Sequence, residues 1–520
     1  MAAIVTDQFR ILNAENFVNS VTDSSNSYYV FVGLSNPDVV GFGRTTDWDT
    51  NTPDPTDSFD YLKFTGDNMS FGKKVTSANI KRVVRRIDWV QGTKYEIYRH
   101  DYSYPNNTSP ITKSARLYDA NYYVMNSEYK VYICIDNGSS GINTSGNASL
   151  DEPTFTDLEP SKAGVSGDGY VWKYLYTVSP SDIVKFDSTE YISLPNDWAS
   201  SSNAQISAVR SNGDSTVNEN QIKKVYIENR GFGYVEGSFE VDILGDGTGG
   251  KVIVDVDSNG RITNTTVSSG GKGYTYGIVD LGSINTNASI DANLIPIIPP
   301  SNGHGYDIYK ELGADKVLMY ARFDNSSYDF SSDTVFAQVG IVKNPTILNS
   351  DTVFTDNQFS SLYSIKYETQ SAAQDLVVGD QIEQTVGVGS TAKGIVASYD
   401  SETRIIKYYQ DRSLYYNAGT GDETDATDVK LRSPVINFTS SSNAITKSGG
   451  SFSVNVDQNF SGVTTTLSNG RVVNLGVNFT DGLASPEINK RKGEIIYLDN
   501  RPSVTRNERQ KEDVKIVLEF

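Results

Sequence analysis

The sequence predicts a mainly β, multi-domain protein with β-sandwich-like layers and a few helices, and three observations lead to this prediction. The chain has 520 residues, whereas a single hydrophobic core stops growing at roughly 250–300 residues. Short β-branched and aromatic runs alternate with turns rich in Gly, Asn and Asp. Helical periodicity is scarce. Together these features favour several β-rich units, with an α+β arrangement in the N-terminal part.

The clearest helix signal lies near the start of the chain. Thr6 or Asp7 can cap its first turn. Apolar residues then recur at helical spacing, namely Ile11, Ala14, Val18 and Val21. This pattern predicts a helix that buries one of its sides.

Four runs carry the strongest strand signals: residues 28–32, 129–135, 171–178 and 514–520. The first three are rich in Tyr, Val and Ile, and each lies next to a turn that contains glycine. In the last run, apolar residues alternate with charged residues, so that one face is apolar. We therefore expect the C-terminal run to be a half-buried strand.

A stretch from about 200 to 305 is rich in Gly, Ser, Asn and Val and contains an internal repeat. Gly231, Gly233, Tyr234 and Gly237 return forty residues later as Gly271, Gly273, Tyr274 and Gly277. A duplicated β unit is the natural interpretation, with each Tyr packing over a bend made by glycine. Between the copies, the turn at 258–260 is expected to be a type I′ hairpin.

A second stretch, 352–483, is again rich in Ser, Thr and Gly and shows β alternation. The composition of both stretches is typical of β domains inserted into a host domain. The predicted organisation is therefore 1–199, first part of the host; 200–305, first inserted β domain; 306–351, second part of the host; 352–483, second inserted β domain; and 484–520, C-terminal strands of the host.

Composition excludes several classes of function. The formal net charge is −19, and a surface this negative repels nucleic-acid phosphates and anionic membranes. The single cysteine, Cys134, excludes an intramolecular disulfide framework or a multi-cysteine metal site. The first residues lack the pattern of a secretory signal, and no window is apolar enough for a spanning helix. We therefore expect a protein that stays in a reducing compartment.

Residues suited to catalysis are few. His100 and His304 are not beside a nucleophile motif, and we interpret both as surface or loop residues. Cys134 lies in an apolar run and is interpreted as core filling. The glycines of 387–394 resemble a phosphate loop only superficially and are interpreted as a β-turn. Calcium at an Asp/Asn/Gly loop stays open, although no twelve-residue loop ends in Glu. We assign no catalytic, cofactor-binding or metal residue, and no cofactor.

Two basic clusters, 81–86 and 490–492, stand out from the acidic background. Either they are solvated faces, or they contact another acidic subunit through charge complementarity. The 32 tyrosines exceed what a core is expected to bury with every hydroxyl paired. We therefore expect many tyrosines to line subunit interfaces.

Several separated blocks resemble one known family, the dimeric, β-rich baseplate wedge subunit of T-even-type contractile-tailed phages. The blocks include residues 3–10, Arg85-Arg-Ile-Asp-Trp89 and Gly167-Asp-Gly-Tyr-Val-Trp-Lys-Tyr-Leu175. Residues 335–345 and 493–502 continue the resemblance. The blocks follow the family order within 1–200, 305–350 and 484–520, so the resemblance leaves out the two stretches set apart by composition.

The resemblance implies a structural, non-enzymatic role. It implies a homodimer that joins other baseplate wedge proteins, assembles in the host cytoplasm and resides in the virion tail. It makes six motif residues candidates for subunit interfaces: Arg85, Arg86, Trp89, Tyr170, Trp172 and Arg501. The alternative is a tail-associated carbohydrate- or receptor-binding protein whose inserted domains contact surface glycans. An enzyme such as a glycan depolymerase is supported only by the abundance of acidic residues.

Overall fold

The structure, a computed structural model, describes residues 6–38, 45–102, 108–213, 221–285, 288–324, 335–368, 376–410, 414, 435–505 and 510–520. Within these residues the protein is mainly β and has several sheets, which confirms the predicted fold class. The α-helices are α1 (Asp7–Thr22), α2 (Phe59–Asn68), α3 (Pro180–Phe186), α4 (Ala204–Gly213) and α5 (Ile308–Leu312).

The strands of the first half are β1 (Tyr28–Gly33), β2 (Met69–Val75), β3 (Ile80–Arg85), β4 (Tyr123–Met125), β5 (Lys130–Asn137), β6 (Ser161–Lys162), β7 (Tyr170–Thr177), β8 (Tyr191–Ser193), β9 (Val225–Asn229), β10 (Gly237–Gly245), β11 (Thr248–Val256), β12 (Ile262–Lys272), β13 (Gly277–Val279) and β14 (Asn293–Pro296). The later strands are β15 (Lys316–Phe323), β16 (Val335–Lys343), β17 (Gln358–Ser360), β18 (Tyr363–Lys366), β19 (Gln381–Gly387), β20 (Ser390–Asp400), β21 (Ile405–Tyr409), β22 (Ile445–Lys447), β23 (Ser453–Val454), β24 (Gly462–Thr466), β25 (Val472–Phe479), β26 (Leu483–Ala484), β27 (Glu494–Thr505) and β28 (Glu512–Glu519).

The chain divides into two compact units. Unit 1 comprises Met1–Val18, Lys81–Leu318 and Val517–Phe520, and unit 2 comprises Asn19–Ile80 and Met319–Ile516. All four strongest strand predictions are confirmed, as β1, β5, β7 and β28. No helix in the described part of the chain is both long and apolar enough to cross a membrane.

The predicted N-terminal helix is present as α1. The Thr6 hydroxyl accepts a hydrogen bond from the Phe9 N–H at 3.3 Å, so Thr6 is the residue that caps the first turn. The four apolar residues that recur at helical spacing are all buried, namely Ile11, Ala14, Val18 and Val21. The periodicity therefore identified the buried side of this helix correctly.

Unit 1 contains an antiparallel sheet in the order β4-β5-β7-β6. Its central strands β5 and β7 are almost entirely buried because a hydrophobic cluster covers them. Helix α4 contributes Val209 to this same cluster. The cluster of the repeat region is separate and runs from Ile222 to Ile298. The predicted domain boundaries remain predictions.

The internal repeat forms two equivalent bends in unit 1. Gly231 and Gly271 have φ angles of +63° and +60°, a region that favours glycine. A Cβ atom on either residue would lie within 2.7 Å of the ring of Tyr234 or Tyr274, respectively. Both tyrosines are buried, and the hydroxyl of each accepts a backbone N–H. This arrangement agrees with the prediction of a tyrosine over a glycine bend.

The turn between β11 and β12 closes a hairpin, but it is not the type I′ turn that we predicted. Type I′ requires positive φ at two central residues, whereas only Gly260 in this turn has a positive φ, at +68°. The Asp257 carboxylate instead accepts the N–H groups of Asn259 and Arg261. This side-chain acceptor allows Asn259 to keep an ordinary backbone conformation.

Unit 2 contains a five-stranded sheet in the order β17-β2-β1-β16-β27 and a seven-stranded sheet in the order β23-β22-β19-β20-β21-β18-β26. Every residue of β1 is buried, which explains its unbroken apolar sequence. The segment 387–394 contains the turn between β19 and β20, as predicted, with Gly389 at a φ of +71°. Gly387 ends β19, and Gly394 lies within β20.

Two buried lysines make stability depend on pH. Burial lowers the pKa of Lys173 and of Lys366 from 10.5 to about 8. Between pH 8 and 10 the unfolded chain therefore binds more protons than the folded chain, and the free energy of unfolding rises with pH. We expect a rise of about 2 kcal/mol per lysine across this window.

Urea unfolding in half-unit pH steps measures this rise. Above pH 10 the trend reverses, because the pKa of buried tyrosines such as Tyr29 is raised by burial and the unfolded tyrosines ionise first. The variants Lys173→Met and Lys366→Met should each reduce the increase in the free energy of unfolding by about half. A flat profile for the unaltered protein would contradict the prediction.

Candidate interaction surface

The six candidate interface residues occupy different environments. Arg85 ends strand β3, and Arg86 and Trp89 follow it. Tyr170 and Trp172 lie in β7, and Arg501 lies in β27 of unit 2. Only Arg85 and Arg86 line the same cleft.

Tyr170 and Trp172 cannot contact a partner in this conformation, because both side chains are buried. Their rings stack on each other with centroids 5.3 Å apart. The Tyr170 hydroxyl donates to the Asn147 carbonyl at 2.8 Å and accepts the Tyr95 N–H at 2.8 Å. Both residues fill the core of unit 1, so this burial does not favour their place at an interface, which stays a prediction.

The Gly167-Asp-Gly motif before β7 also has a structural purpose. Gly167 and Gly169 have φ angles of +72° and +88°. The Asp168 carboxylate between them accepts the N–H groups of Leu150 and Tyr170 at 2.8 and 2.9 Å. The most specific block of the resemblance thus directs the chain into a buried strand.

Trp89 and Arg501 retain exposed surface. Trp89 is half-buried, and its indole N–H donates to the Ser149 hydroxyl at 3.0 Å. The Arg501 side chain is 58% exposed and pairs with Asp499 at 2.6 Å. Its carbonyl accepts the indole N–H of Trp48 at 2.6 Å. Both residues remain candidates for contact with a partner.

Arg85 and Arg86 line a cleft of about 370 Å³ in unit 1. Its other charged lining residues are Arg116, Lys316, Asp119, Glu190 and Asp315. Val84 and Arg85 at the end of β3 line this cleft together with Tyr191 of β8. The two strands pair there, with Val84 opposite Ile192 and Arg85 opposite Tyr191. We call this site the charged cleft.

Three cations of the charged cleft are paired with carboxylates. Arg86 binds Asp88 at 2.9 Å and Asp187 at 2.8 Å. Arg116 binds Asp7 and Asp315, both at 2.8 Å. Lys316 binds Asp315 and Glu519, both at 3.0 Å. The local charges of these three residues are therefore compensated.

Arg85 differs because its acceptors are neutral. Its Nη2 atom donates to the carbonyls of Asp119 and Ala120, at 3.1 and 3.0 Å, and to Oδ1 of Asn121 at 3.0 Å. Its side chain is exposed, and no carboxylate of the described residues forms an ion pair with it. A carboxylate that enters the cleft from outside could form charge-assisted hydrogen bonds with the Arg85 guanidinium.

The loop that supplies these acceptors is held by a buried glutamate. The Glu96 carboxylate accepts the N–H groups of Ile111, Thr112 and Asn121 at 3.1, 2.8 and 2.8 Å. It also accepts the Thr112 hydroxyl. Glu96, Arg116 and Lys316 carry no sequence signal, because their partners are distant in the chain.

The basic clusters mostly make contacts within the chain. In the first cluster, Lys81 pairs with Asp182 at 3.3 Å. In the second, Arg491 pairs with Asp67 at 2.5 Å, and Lys492 pairs with Asp351. Neither of our two interpretations included these intramolecular pairs, because residues far apart in sequence meet only in the fold.

Most tyrosines in the described residues are buried, so the expectation that many line interfaces is wrong for them. Backbone carbonyls accept their hydroxyls. Tyr122 donates to Glu311 at 2.7 Å, Tyr132 to Phe155 at 2.6 Å and Tyr176 to Ser193 at 3.0 Å. Backbone acceptors therefore satisfy more buried phenols than composition suggests.

The residues considered for catalysis have structural contacts. Cys134 is buried in β5, as predicted, and burial raises the pKa of its thiol well above the usual value. His100 is exposed, and its Nδ1 accepts the Ile298 N–H at 3.1 Å. His304 lies in a turn but is mostly buried, with Nδ1 2.5 Å from the buried Glu311 carboxylate. The described residues contain no group of three or more His, Cys, Asp or Glu that could hold a metal.

Comparison with known proteins yields one informative similarity. No protein-family profile matches the chain. The chain is similar to the baseplate wedge protein gp8 of Enterobacteria phage T4, with 27% identity over 217 residues. The similarity covers 37% of this chain and 60% of gp8, which is less than two thirds of the length of gp8. This protein is therefore, at most, a distant relative of baseplate wedge proteins.

Proposed function

We propose that the chain is a structural component of the baseplate wedge in a contractile-tailed phage. In this role it forms a homodimer that joins neighbouring wedge proteins during tail assembly. It assembles in the host cytoplasm and becomes part of the virion tail. The observation that carries the proposal is the similarity to the T4 baseplate wedge protein gp8. A wedge component holds neighbours in place, which suits a non-enzymatic chain.

Internal contacts of the chain agree with such a role. Arg116 joins α1, the loop at 116–119 and the segment before β15 through Asp7, Asp119 and Asp315. Paired charges and buried phenols favour one well-defined arrangement over many. A protein that positions its neighbours benefits from such a framework.

Within this role, the charged cleft is a contact site for an acidic segment of a neighbouring subunit. Arg85 is its anchor, because its guanidinium is exposed and its acceptors among the described residues are neutral oxygens. Arginine binds carboxylates with two parallel hydrogen bonds, which adds specificity as well as affinity.

Sizing the assembly tests the proposal. The purified full chain should elute as a particle of twice 57.0 kDa, measured by light scattering at micromolar concentration. When it is coexpressed with the wedge proteins encoded beside it, it should co-elute with them as one larger complex. A stable monomer would contradict the dimer, and a chain that stays outside every wedge complex would contradict the proposed function.

The variant Arg85→Ala tests the charged cleft. We expect its affinity for the neighbouring wedge protein to fall about tenfold, because one charge-assisted contact is lost. The unfolding midpoint should change little, since Arg85 is exposed. Isothermal titration of the full chain against each purified wedge protein measures the change.

Arg322→Ala is the matched control, because Arg322 is an arginine that already pairs with Asp513 at 2.6 Å. This variant should bind the wedge proteins like the unaltered chain. If the unaltered chain and both variants bound the wedge proteins with equal affinity, the charged cleft would not be a contact site.

A further inference from the structure

The sheet β12-β11-β10-β13 of unit 1 has one packed face and one solvent face. Along β10, Val241 and Ile243 are buried in the hydrophobic cluster of the repeat region. The residues between them point to the other side of the sheet and are exposed. The sequence resemblance leaves this sheet without an assigned role.

The solvent face carries an exposed apolar corner formed by Leu244, Tyr276 and Ile278. Leu244 and Ile278 lie directly opposite each other on the paired strands β10 and β13. Tyr276 immediately precedes β13, and the three side chains are 54%, 58% and 66% exposed. Exposed apolar residues are ordinary when scattered singly, but three that cluster where two strands pair are typical of a contact surface.

Hydrogen bonds hold the apolar corner in place. The Asp246 carboxylate accepts the N–H groups of Thr275 and Tyr276 at 2.9 and 3.2 Å and the Thr275 hydroxyl at 2.5 Å. The bond from the Thr275 hydroxyl is the main cause that lowers the pKa of Asp246 to about 2. A surface held in one arrangement loses less entropy when a partner binds.

Carboxylates border the apolar corner. Glu240 and Asp242 precede Leu244 on the solvent face of β10, and Asp280 follows β13. Asp280 lies beside Asp242, because its N–H donates to the Asp242 carbonyl at 2.9 Å. Lys251 pairs with Glu240 and Asp242 at 3.4 and 3.6 Å, so two of the three carboxylates share one lysine. The border is therefore negative.

We propose that the apolar corner and its negative border dock a different protein, whose contact surface has an apolar centre bordered by Lys and Arg. A second copy of this chain fits poorly, because a two-fold contact through the same surface would bring the two negative borders together. The repeat-containing region is then the part of this chain that contacts a neighbouring protein in the assembly.

This inference rests on the proposed function, because the partner belongs to the same assembly. The test places a photo-crosslinking residue at position 276 in the full chain, coexpressed with the wedge proteins encoded beside it. We expect a crosslink to one non-identical wedge protein, within a peptide that contains Lys or Arg next to apolar residues. The same residue at position 142 is the control and should give no such crosslink, because Ile142 is also exposed in unit 1, at 76%.

A binding measurement accompanies the crosslink. The double variant Leu244→Ser with Ile278→Ser should bind the crosslinked protein about tenfold more weakly, with an unchanged unfolding midpoint. Raising the salt concentration should weaken binding of the unaltered chain, because the borders attract each other electrostatically.

Different outcomes separate the two proposals. A chain that enters the wedge complex but gives no crosslink at position 276, or only a crosslink to its own second copy, overturns this inference alone. Unchanged affinity of the double variant does the same, and so does binding of the unaltered full chain to a glycan array that the double variant loses. A chain that stays outside the complex overturns the proposed function and this inference with it.

Discussion

Replacing Glu96 by glutamine is expected to lower the free energy of unfolding of unit 1 by about 3 kcal/mol. The Glu96 carboxylate is buried and accepts three backbone N–H groups and one hydroxyl. Glutamine has the same shape, but one of its two terminal groups is an NH₂, which cannot accept a hydrogen bond. At least one backbone N–H is therefore left without an acceptor, whichever way the amide is oriented.

Urea unfolding followed by circular dichroism measures this loss. Hydrogen exchange locates it, because the amides of Ile111, Thr112 and Asn121 should exchange faster in the variant. Glu128→Gln is the matched control, since Glu128 is an exposed glutamate that pairs with Lys130 at 2.7 Å. A Glu96 variant as stable as the control would show that the loop is held by other contacts.

The second large effect is expected from Trp172→Ala, which should destabilise unit 1 by about 3–5 kcal/mol. Trp172 is fully buried, stacks on Tyr170 and meets the ring of Tyr95 edge-on at 5.7 Å. Removing the indole leaves a cavity between two strands that cannot close around it.

Trp172→Phe separates packing from hydrogen bonding. The indole N–H of Trp172 is buried and has no acceptor among the described residues, so the phenylalanine variant loses volume but no hydrogen bond to them. We expect it to cost about 1–2 kcal/mol, clearly less than the alanine variant. Chemical unfolding measures both values, and light scattering should show the same oligomeric state for every folded variant. A stable Trp172→Ala protein that fails to assemble would instead show that this residue contacts a partner.

Glu96 and Trp172 show how much of the structure the sequence could predict. The run 171–178 identified a buried strand, because Tyr, Trp, Val and Leu suit a strand covered on both faces. The same run suggested an interface for Trp172, because a sequence does not show which aromatic rings become buried. Glu96 carried no signal at all, since its four donors come from a loop 15 to 25 residues away.

In the charged cleft, too, the sequence indicates which residues are of interest, and the fold decides their environment. Arg85 and Arg86 stood out as basic residues in an acidic chain, but the fold gives them opposite environments. Arg86 is paired with two carboxylates, one of them 101 residues away, whereas the acceptors of Arg85 among the described residues are neutral oxygens. The sequence could single out the pair, and only the contacts distinguish its members.

Local patterns in the sequence were enough to predict the mainly β fold, the N-terminal helix, the glycine–tyrosine repeat and the buried cysteine. Each depends on neighbours within a few residues, where backbone preference and side-chain alternation decide the structure. Tertiary structure alone decided which tyrosines are buried, which cations are paired and where apolar surface remains exposed. These properties arise from residues far apart in the chain, and their partners are chosen only when the strands pair and the core closes.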